Sequence, residues 1–169
     1  MTDTYEFTYN IPEARFTGEL ECDGKKEAFN AYAGSGGRAG SKTAGAINPY
    51  LANNPFATQV KGASSGGEIT KIGGPIPIGV YVLRPHETKE NWIRILPLEG
   101  TTVFGRDGFA IHGRGHNGSI GCIVPSDFHN VVRLYTLLKK RQTQGLASPK
   151  LKVIAEGTDM DRFILSRNA

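Results

Sequence analysis

This 169-residue sequence has few cysteines, little net charge and no long apolar run. No apolar stretch approaches the ~20 residues that a membrane-spanning helix needs, so we predict no membrane insertion. Residues 1–6 lack the basic and apolar regions of a secretory signal, which predicts synthesis in the cytoplasm without a signal peptide. A formal net charge of +4 selects no class of anionic partner, and we predict no binding of nucleic acid.

Cysteine occurs only twice, as Cys22 and Cys122. A disulfide between the two is one interpretation. With so few cysteines and no secretory signal, we instead predict one buried and one reactive thiol. Cys22 ends a strand-like run beside an Asp-Gly turn, and we predict that it is a small core residue.

The composition, with 38% hydrophobic and 21% charged residues, is that of an ordinary globular protein. Its length fits one domain over residues 1–169. The 22 glycines and nine prolines favour turns and short strands over long helices. Alternating patterns and short apolar runs predict a mostly β, antiparallel fold with strands over residues 5–9, 16–22, 27–33, 80–83, 92–96, 109–112, 119–124 and 151–155.

One long helix is predicted after the strand at residues 119–124, with Ser126 as its amino-terminal cap. Apolar residues at helical spacing form its expected buried face: Phe128, Val131, Val132, Tyr135 and Leu138. The glycine- and serine-rich residues 34–74 form a connection too long for an ordinary loop. We predict that it folds over a cleft, with a surface excursion as the alternative.

The richest chemical pattern is in residues 108–125, where an apolar run ends at His112 and a second run contains Cys122. A glycine-rich turn between the runs allows the two side chains to lie together. An imidazole beside a thiol can take its proton and create a nucleophile. A zinc site formed by His112, His116 and Cys122 is the alternative, but the spacing matches no zinc pattern, and we predict neither metal nor cofactor.

Residues near this pair are candidates for binding a substrate. Gly121 leaves room for an acyl group, and the amides of Gly121 and Cys122 can point at an oxyanion. Ser119 and His116 can contact substrate from the turn. Arg114 is the first candidate to pair with a substrate carboxylate; the competing cations are Arg84, Arg94 and Arg133.

The pattern His-Gly, a glycine-containing spacer and Ser-x-Gly-Cys-Ile resembles the active-site signature of the L,D-transpeptidase catalytic domain. Its compact form resembles the L,D-transpeptidase effectors of type VI secretion systems. Residues 74–81 are similar to the Gly-Pro-Ile-Pro-x-Gly-x-Tyr segment of that family, and the resemblance spans roughly residues 15–155. Ile120 and Val124 depart from it, since they replace a histidine and an arginine that the broader family carries there.

The resemblance implies a β-sandwich-like fold and a cysteine enzyme that acts on peptidoglycan stem tetrapeptides. Cys122 would be the nucleophile, His112 the base, and the carbonyl of Gly113 would orient the imidazole. Water would give L,D-carboxypeptidase action, and an amine would give L,D-transpeptidation or D-amino-acid exchange. An effector also implies an immunity protein, a secretion apparatus and delivery to the periplasm of a target bacterium. The alternatives are a phage- or wall-associated cysteine endopeptidase and a non-catalytic wall-binding module.

Overall fold

The structure is a computed structural model that describes residues 4–37, 47–66, 68–113 and 121–157. Within these ranges the chain is mostly β with one α-helix, as predicted. The strands are β1 Phe7–Asn10, β2 Arg15–Cys22, β3 Lys25–Ser35, β4 Ala63–Ser65, β5 Glu68–Lys71, β6 Gly79–Pro85, β7 Trp92–Pro97, β8 Ala110–His112, β9 Ile123–Pro125 and β10 Lys150–Ile154. The helix α1 spans Phe128–Thr143, and a short 3-10 turn spans Pro55–Ala57. No helix in the described ranges is long and apolar enough to span a membrane.

Eight of the strands form one sheet that closes into a barrel in the order β1-β10-β6-β7-β8-β9-β3-β2. A β-sandwich is therefore not confirmed. Closure arises because β1 pairs with both β2 and β10, which leaves no edge strand in this sheet. The antiparallel prediction is correct for most neighbours but wrong for two, since β1 pairs with β10 and β8 pairs with β9 in parallel.

One hydrophobic cluster joins the barrel to α1. Alternation along the strands supplies it, as in β3, where buried and exposed residues alternate from Phe29 to Ser35. Aromatic rings pack closely within it: Phe7 stacks on Phe16 with ring centroids 5.1 Å apart. The cluster also contains Cys22, as predicted.

The predicted buried face of the helix is confirmed in part. Val131 and Leu138 are buried, and Phe128 and Tyr135 pack half-buried against the core. Leu134 and Leu137 are buried as well, whereas Val132 is half-buried. The predicted cap at Ser126 is wrong by one residue, because the side chain of Asp127 accepts the backbone N–H of His129.

The connection 34–74 is more structured than predicted. It contains the 3-10 turn and a two-stranded sheet formed by β4 and β5. Asn53 fastens it to the barrel: its Nδ2 donates to the Tyr9 hydroxyl and the Ile11 carbonyl at 2.8 Å, and its Oδ1 accepts the amide of Ser35 at 3.1 Å. Residues 38–46 of this connection lie outside the described residues. Closure over a cleft stays a prediction.

Candidate active site

The predicted catalytic pair lies at two neighbouring parallel strands: His112 ends β8, and Cys122 directly precedes β9. Their register places Ile111 opposite Ile123, and both isoleucines are buried in the core. Because successive side chains of a strand point to opposite faces, His112 projects from the other face of β8. Cys122 precedes β9 by one residue, and the register places it level with Ala110, which forms a backbone hydrogen bond with its sulfur. The fold therefore brings Cys122 next to the strand that ends at His112.

An aromatic stack holds the imidazole of His112. Strand β7 pairs with β8 so that Trp92 lies opposite His112. The two rings are stacked, with centroids 4.2 Å apart and an interplanar angle of 4°. The ammonium of Lys89 lies 4.5 Å from the centroid of the same Trp92 ring. His112 is only 1% exposed, so its ring orientation is set by packing.

The thiol of Cys122 is also buried, with 6% of the residue exposed, and its Sγ lies 3.8 Å from the carbonyl oxygen of Gly108. Burial raises the pKa of this thiol to about 11. A backbone hydrogen bond from Ala110 and the positive charges of Arg106 and Lys89 oppose that rise in pKa. At neutral pH the resting site therefore holds a protonated thiol, so a proton acceptor is needed before it can attack.

Arg106 is a buried cation beside the pair. Its Nη1 donates to the carbonyl oxygens of Thr58 and Pro75, and its Nη2 donates to that of Gly74. The bonds to Pro75 and Gly74 are both 2.8 Å long. Burial lowers the pKa of the guanidinium, but a group with so high an ordinary pKa stays charged at neutral pH. Arg106 thus holds the 58–75 region near Cys122, whose pKa its charge lowers.

Gly121 has a structural reason to be glycine besides the predicted room for substrate, which stays a prediction. Its φ is +118°, and a Cβ there would lie 2.6 Å from Nη2 of Arg106 and 2.8 Å from the ring of Phe109. Its carbonyl oxygen accepts the hydroxyl of Ser35 at 3.4 Å. The side of Gly121 that a side chain would occupy is therefore filled by the protein itself.

Gly113 is equally close to its neighbours, since a Cβ at this position would lie 2.2 Å from the ring of Phe128 at the start of α1. The Phe128 ring therefore fills the space that a side chain would need directly after His112. Orientation of the imidazole by the carbonyl of Gly113 stays a prediction, and so does an oxyanion site formed by the amides of Gly121 and Cys122.

The remaining predicted residues divide into two groups. Arg114, His116 and Ser119 lie outside the described residues. Of the competing cations, Arg94 is paired with Glu87 at 2.8 Å and Arg133 with Glu27 at 2.9 Å, while Arg84 is exposed. No group of three metal-ligating side chains occurs in the part of the chain that the structure describes.

The disulfide alternative is wrong, because both cysteines are free thiols. Cys22 is buried at the far end of β2, where its Sγ lies 3.7 Å from Oε1 of Gln144.

Sequence reasoning did not find Trp92, Lys89 or Arg106. Trp92 is the only tryptophan of the chain and begins a strand, but its partner depends on the register between β7 and β8. Lys89 and Arg106 lie in connections whose paths are set by tertiary contacts. Composition offered no signal for these two residues.

Comparisons of the chain with protein-family models, curated proteins and solved structures found no match. The resemblance to the L,D-transpeptidases stays a prediction that depends on the motifs around His112 and Cys122 and on residues 74–81.

Proposed function

We propose that this chain is a cysteine-dependent enzyme that acts on peptidoglycan stem tetrapeptides as an L,D-carboxypeptidase and L,D-transpeptidase. The observation that carries the proposal is that His112 ends β8 and Cys122 directly precedes the adjacent parallel strand β9, with Trp92 stacked on the imidazole. An imidazole held on the strand next to a thiol suits nucleophilic attack on a carbonyl.

The reaction begins with transfer of the Cys122 proton to His112. The sulfur attacks the carbonyl carbon between the diamino acid and the terminal D-Ala, and the oxyanion that forms accepts the amides of Gly121 and Cys122. His112 then gives its proton to the leaving amine, D-Ala departs, and a thioester remains. Water resolves the thioester to a tripeptide acid, or the amine of a D-amino acid or of another stem resolves it to a new peptide bond.

The electrostatics of the buried pair favour transfer of the proton together with attack. A thiol whose pKa is raised to about 11 is almost entirely protonated at neutral pH. The nearby charges of Arg106 and Lys89 stabilise the thiolate as it forms, since both lower that pKa. In this scheme His112 is a general base that acts during attack.

The biological setting is part of the same proposal. We assign the barrel to the L,D-transpeptidase fold because the sequence motif around His112 and Cys122 resembles that of the family. The protein would be a type VI secretion effector, an antibacterial toxin delivered to the periplasm of a target bacterium. The producing cell would then carry an immunity protein for it.

Muropeptide mass spectrometry tests the activity. Wild-type protein is expected to convert tetrapeptide stems to tripeptides, or to exchange the terminal D-Ala when another D-amino acid is added. Cys122→Ala and His112→Ala should each abolish both products, and the double variant should be no worse than either, because the pair acts as a unit. Cys22→Ala is the matched cysteine control and should retain activity. Unchanged muropeptides with folded wild-type protein would contradict the proposal.

A non-catalytic wall-binding module is the second candidate, and the burial of the pair favours it. His112 and Cys122 are 1% and 6% exposed, and the high pKa of the thiol suits a structural cysteine. Alkylation with iodoacetamide separates the two. In an enzyme Cys122 should react faster than Cys22, and His112→Ala should slow that reaction. In a binding module both thiols should react slowly, while sedimentation with purified peptidoglycan persists.

A further inference from the structure

Lys89 is an exposed cation attached to the candidate site through an aromatic ring. Its ammonium lies 4.5 Å from the centroid of the Trp92 ring, and the same ring is stacked 4.2 Å from the imidazole of His112. The Trp92 ring therefore contacts both the ammonium of Lys89 and the imidazole of His112. The charge of Lys89 also acts on Cys122, since it lowers the pKa of that thiol.

The turn between β6 and β7 holds the backbone of Lys89 in place. The amides of Thr88 and Lys89 donate to Nδ1 of His86 at 3.1 and 3.0 Å. The amide of His86 in turn donates to the carbonyl of Trp92 at 2.8 Å. Only the side chain of Lys89 has to move to meet a ligand.

Lys89 also differs from the cations around it in its partners. Arg94, on β7, forms a bidentate ion pair with Glu87. Across the described ranges, no carboxylate forms an ion pair with Lys89. An exposed lysine can exchange its cation–π contact for an anion at low cost, since such contacts are weak at exposed sites.

We propose that Lys89 receives the terminal carboxylate of the substrate and makes the enzyme selective for peptides that end in a free acid next to the scissile bond. This inference rests on the proposed function and adds a specificity-determining residue to it. A carboxylate bound by an ammonium forms a charge-assisted hydrogen bond, which a neutral carboxamide cannot match. The charge of Lys89 also lowers the pKa of Cys122, which places it within electrostatic reach of the sulfur.

Two tetrapeptides test it, one ending in D-Ala and one in D-Ala amide. We expect wild-type protein to prefer the acid in kcat/KM by about tenfold or more, the size of one hydrogen bond to a charged group. Lys89→Met should bring the preference close to one, mainly by raising KM for the acid, and Lys89→Arg should restore most of it. Lys152→Met is the matched control, since Lys152 lies over the Tyr5 ring at 5.3 Å on β10, three strands from β8, and its loss should leave the preference unchanged.

The possible outcomes distinguish a failure of this inference from a failure of the proposed function. Turnover of neither peptide by wild-type protein would defeat the proposed function and the inference together. Turnover with the same acid preference in wild type and Lys89→Met would defeat the inference alone. Loss of the preference in Arg114→Met but not in Lys89→Met would likewise overturn it and assign the carboxylate to Arg114.

Discussion

Replacing Arg106 by methionine should destabilise the whole fold, because three backbone carbonyls depend on one guanidinium. Thr58, Gly74 and Pro75 supply these carbonyls. Methionine keeps much of the buried volume but donates no hydrogen bond, so each carbonyl loses its partner. The 58–75 region would then be held to the barrel mainly by its apolar contacts and by Asn53.

The size of the loss follows from the number of bonds. A hydrogen bond to a charged group contributes about 1.5–3 kcal/mol, and three would sum to about 4.5–9 kcal/mol if they were additive. The loss is smaller than this sum for two reasons: the variant no longer has the cost of burying a cation, and some of the freed carbonyls form hydrogen bonds with water. We expect a decrease of about 3–5 kcal/mol in the free energy of unfolding, against a total of about 5–15 kcal/mol for a typical domain.

Urea denaturation followed by circular dichroism measures this decrease in the free energy of unfolding. We expect a lower urea concentration at the midpoint and an unchanged dependence of the free energy on urea concentration. The melting temperature should fall by about 6–20 °C for a chain of this size. Arg106→Lys should be intermediate, since an ammonium keeps the charge but cannot fork to three carbonyls. Arg84→Met is the matched control, because Arg84 is exposed on β6, and its unfolding should match wild type.

A difference between Arg106→Met and wild type below about 1 kcal/mol would refute this reasoning, because it would mean that the three carbonyls lose no more than one ordinary hydrogen bond between them. A loss as large in Arg84→Met as in Arg106→Met would refute it too, since removal of any arginine charge would then suffice.

Three further predictions concern the site. Gly121→Ala should lower the free energy of unfolding by at least about 2 kcal/mol in urea denaturation, because it adds a steric clash to a positive φ. The control is Gly100→Ala, which should cost less, since Gly100 has a φ of +93° but no atom within 4 Å of an added Cβ. Equal losses in the two variants would show that the clash has no effect. The pKa of Cys122 is raised from 9.0 to about 11, so its stabilising contribution is present below pH 9 and lost as pH rises to 11. The free energy of unfolding of wild type minus that of Cys122→Ala should therefore fall by about 2–3 kcal/mol over this range, and a flat difference would contradict the raised pKa. Trp92→Ala should lower kcat by about three- to tenfold and change the pH profile of kcat/KM, because a stacked pair of rings contributes about 0.5–1.5 kcal/mol. Trp92→Phe keeps a ring against His112 and should retain most of the rate. An unaltered pH profile in Trp92→Ala would limit Trp92 to a structural role.

Local pattern was sufficient for most of the strands. β2, β3, β6, β7 and β10 lie within about two residues of the predicted ranges, because alternation toward a single core is encoded in adjacent residues. The cap of α1 moved from Ser126 to Asp127, since both can cap and the choice depends on how the chain leaves β9. Leu134 and Leu137 were missed because the buried face depends on how the helix rotates onto the barrel.

The pairing of strands that lie far apart in the sequence could not be predicted from local patterns. Nothing in residues 7–10 or 150–154 indicates that the first and last strands of the barrel run parallel to each other. The same limit applies to the site. Its motif identified His112 and Cys122, but Trp92 reaches His112 only through the register of β7 on β8. Arg106 reaches its carbonyls across 31 to 48 positions of sequence.

Closure of the barrel by β1 and β10 also constrains how the protein is made. Until Lys150–Ile154 leave the ribosome, β1 and β6 each lack one neighbour and present unpaired backbone groups. Synthesis at about 5–20 residues per second keeps both edges open for several seconds while the rest of the chain emerges. A nascent chain that ends before residue 150 would carry two strands with unpaired edges, so interrupted translation should yield aggregates rather than a partly folded barrel.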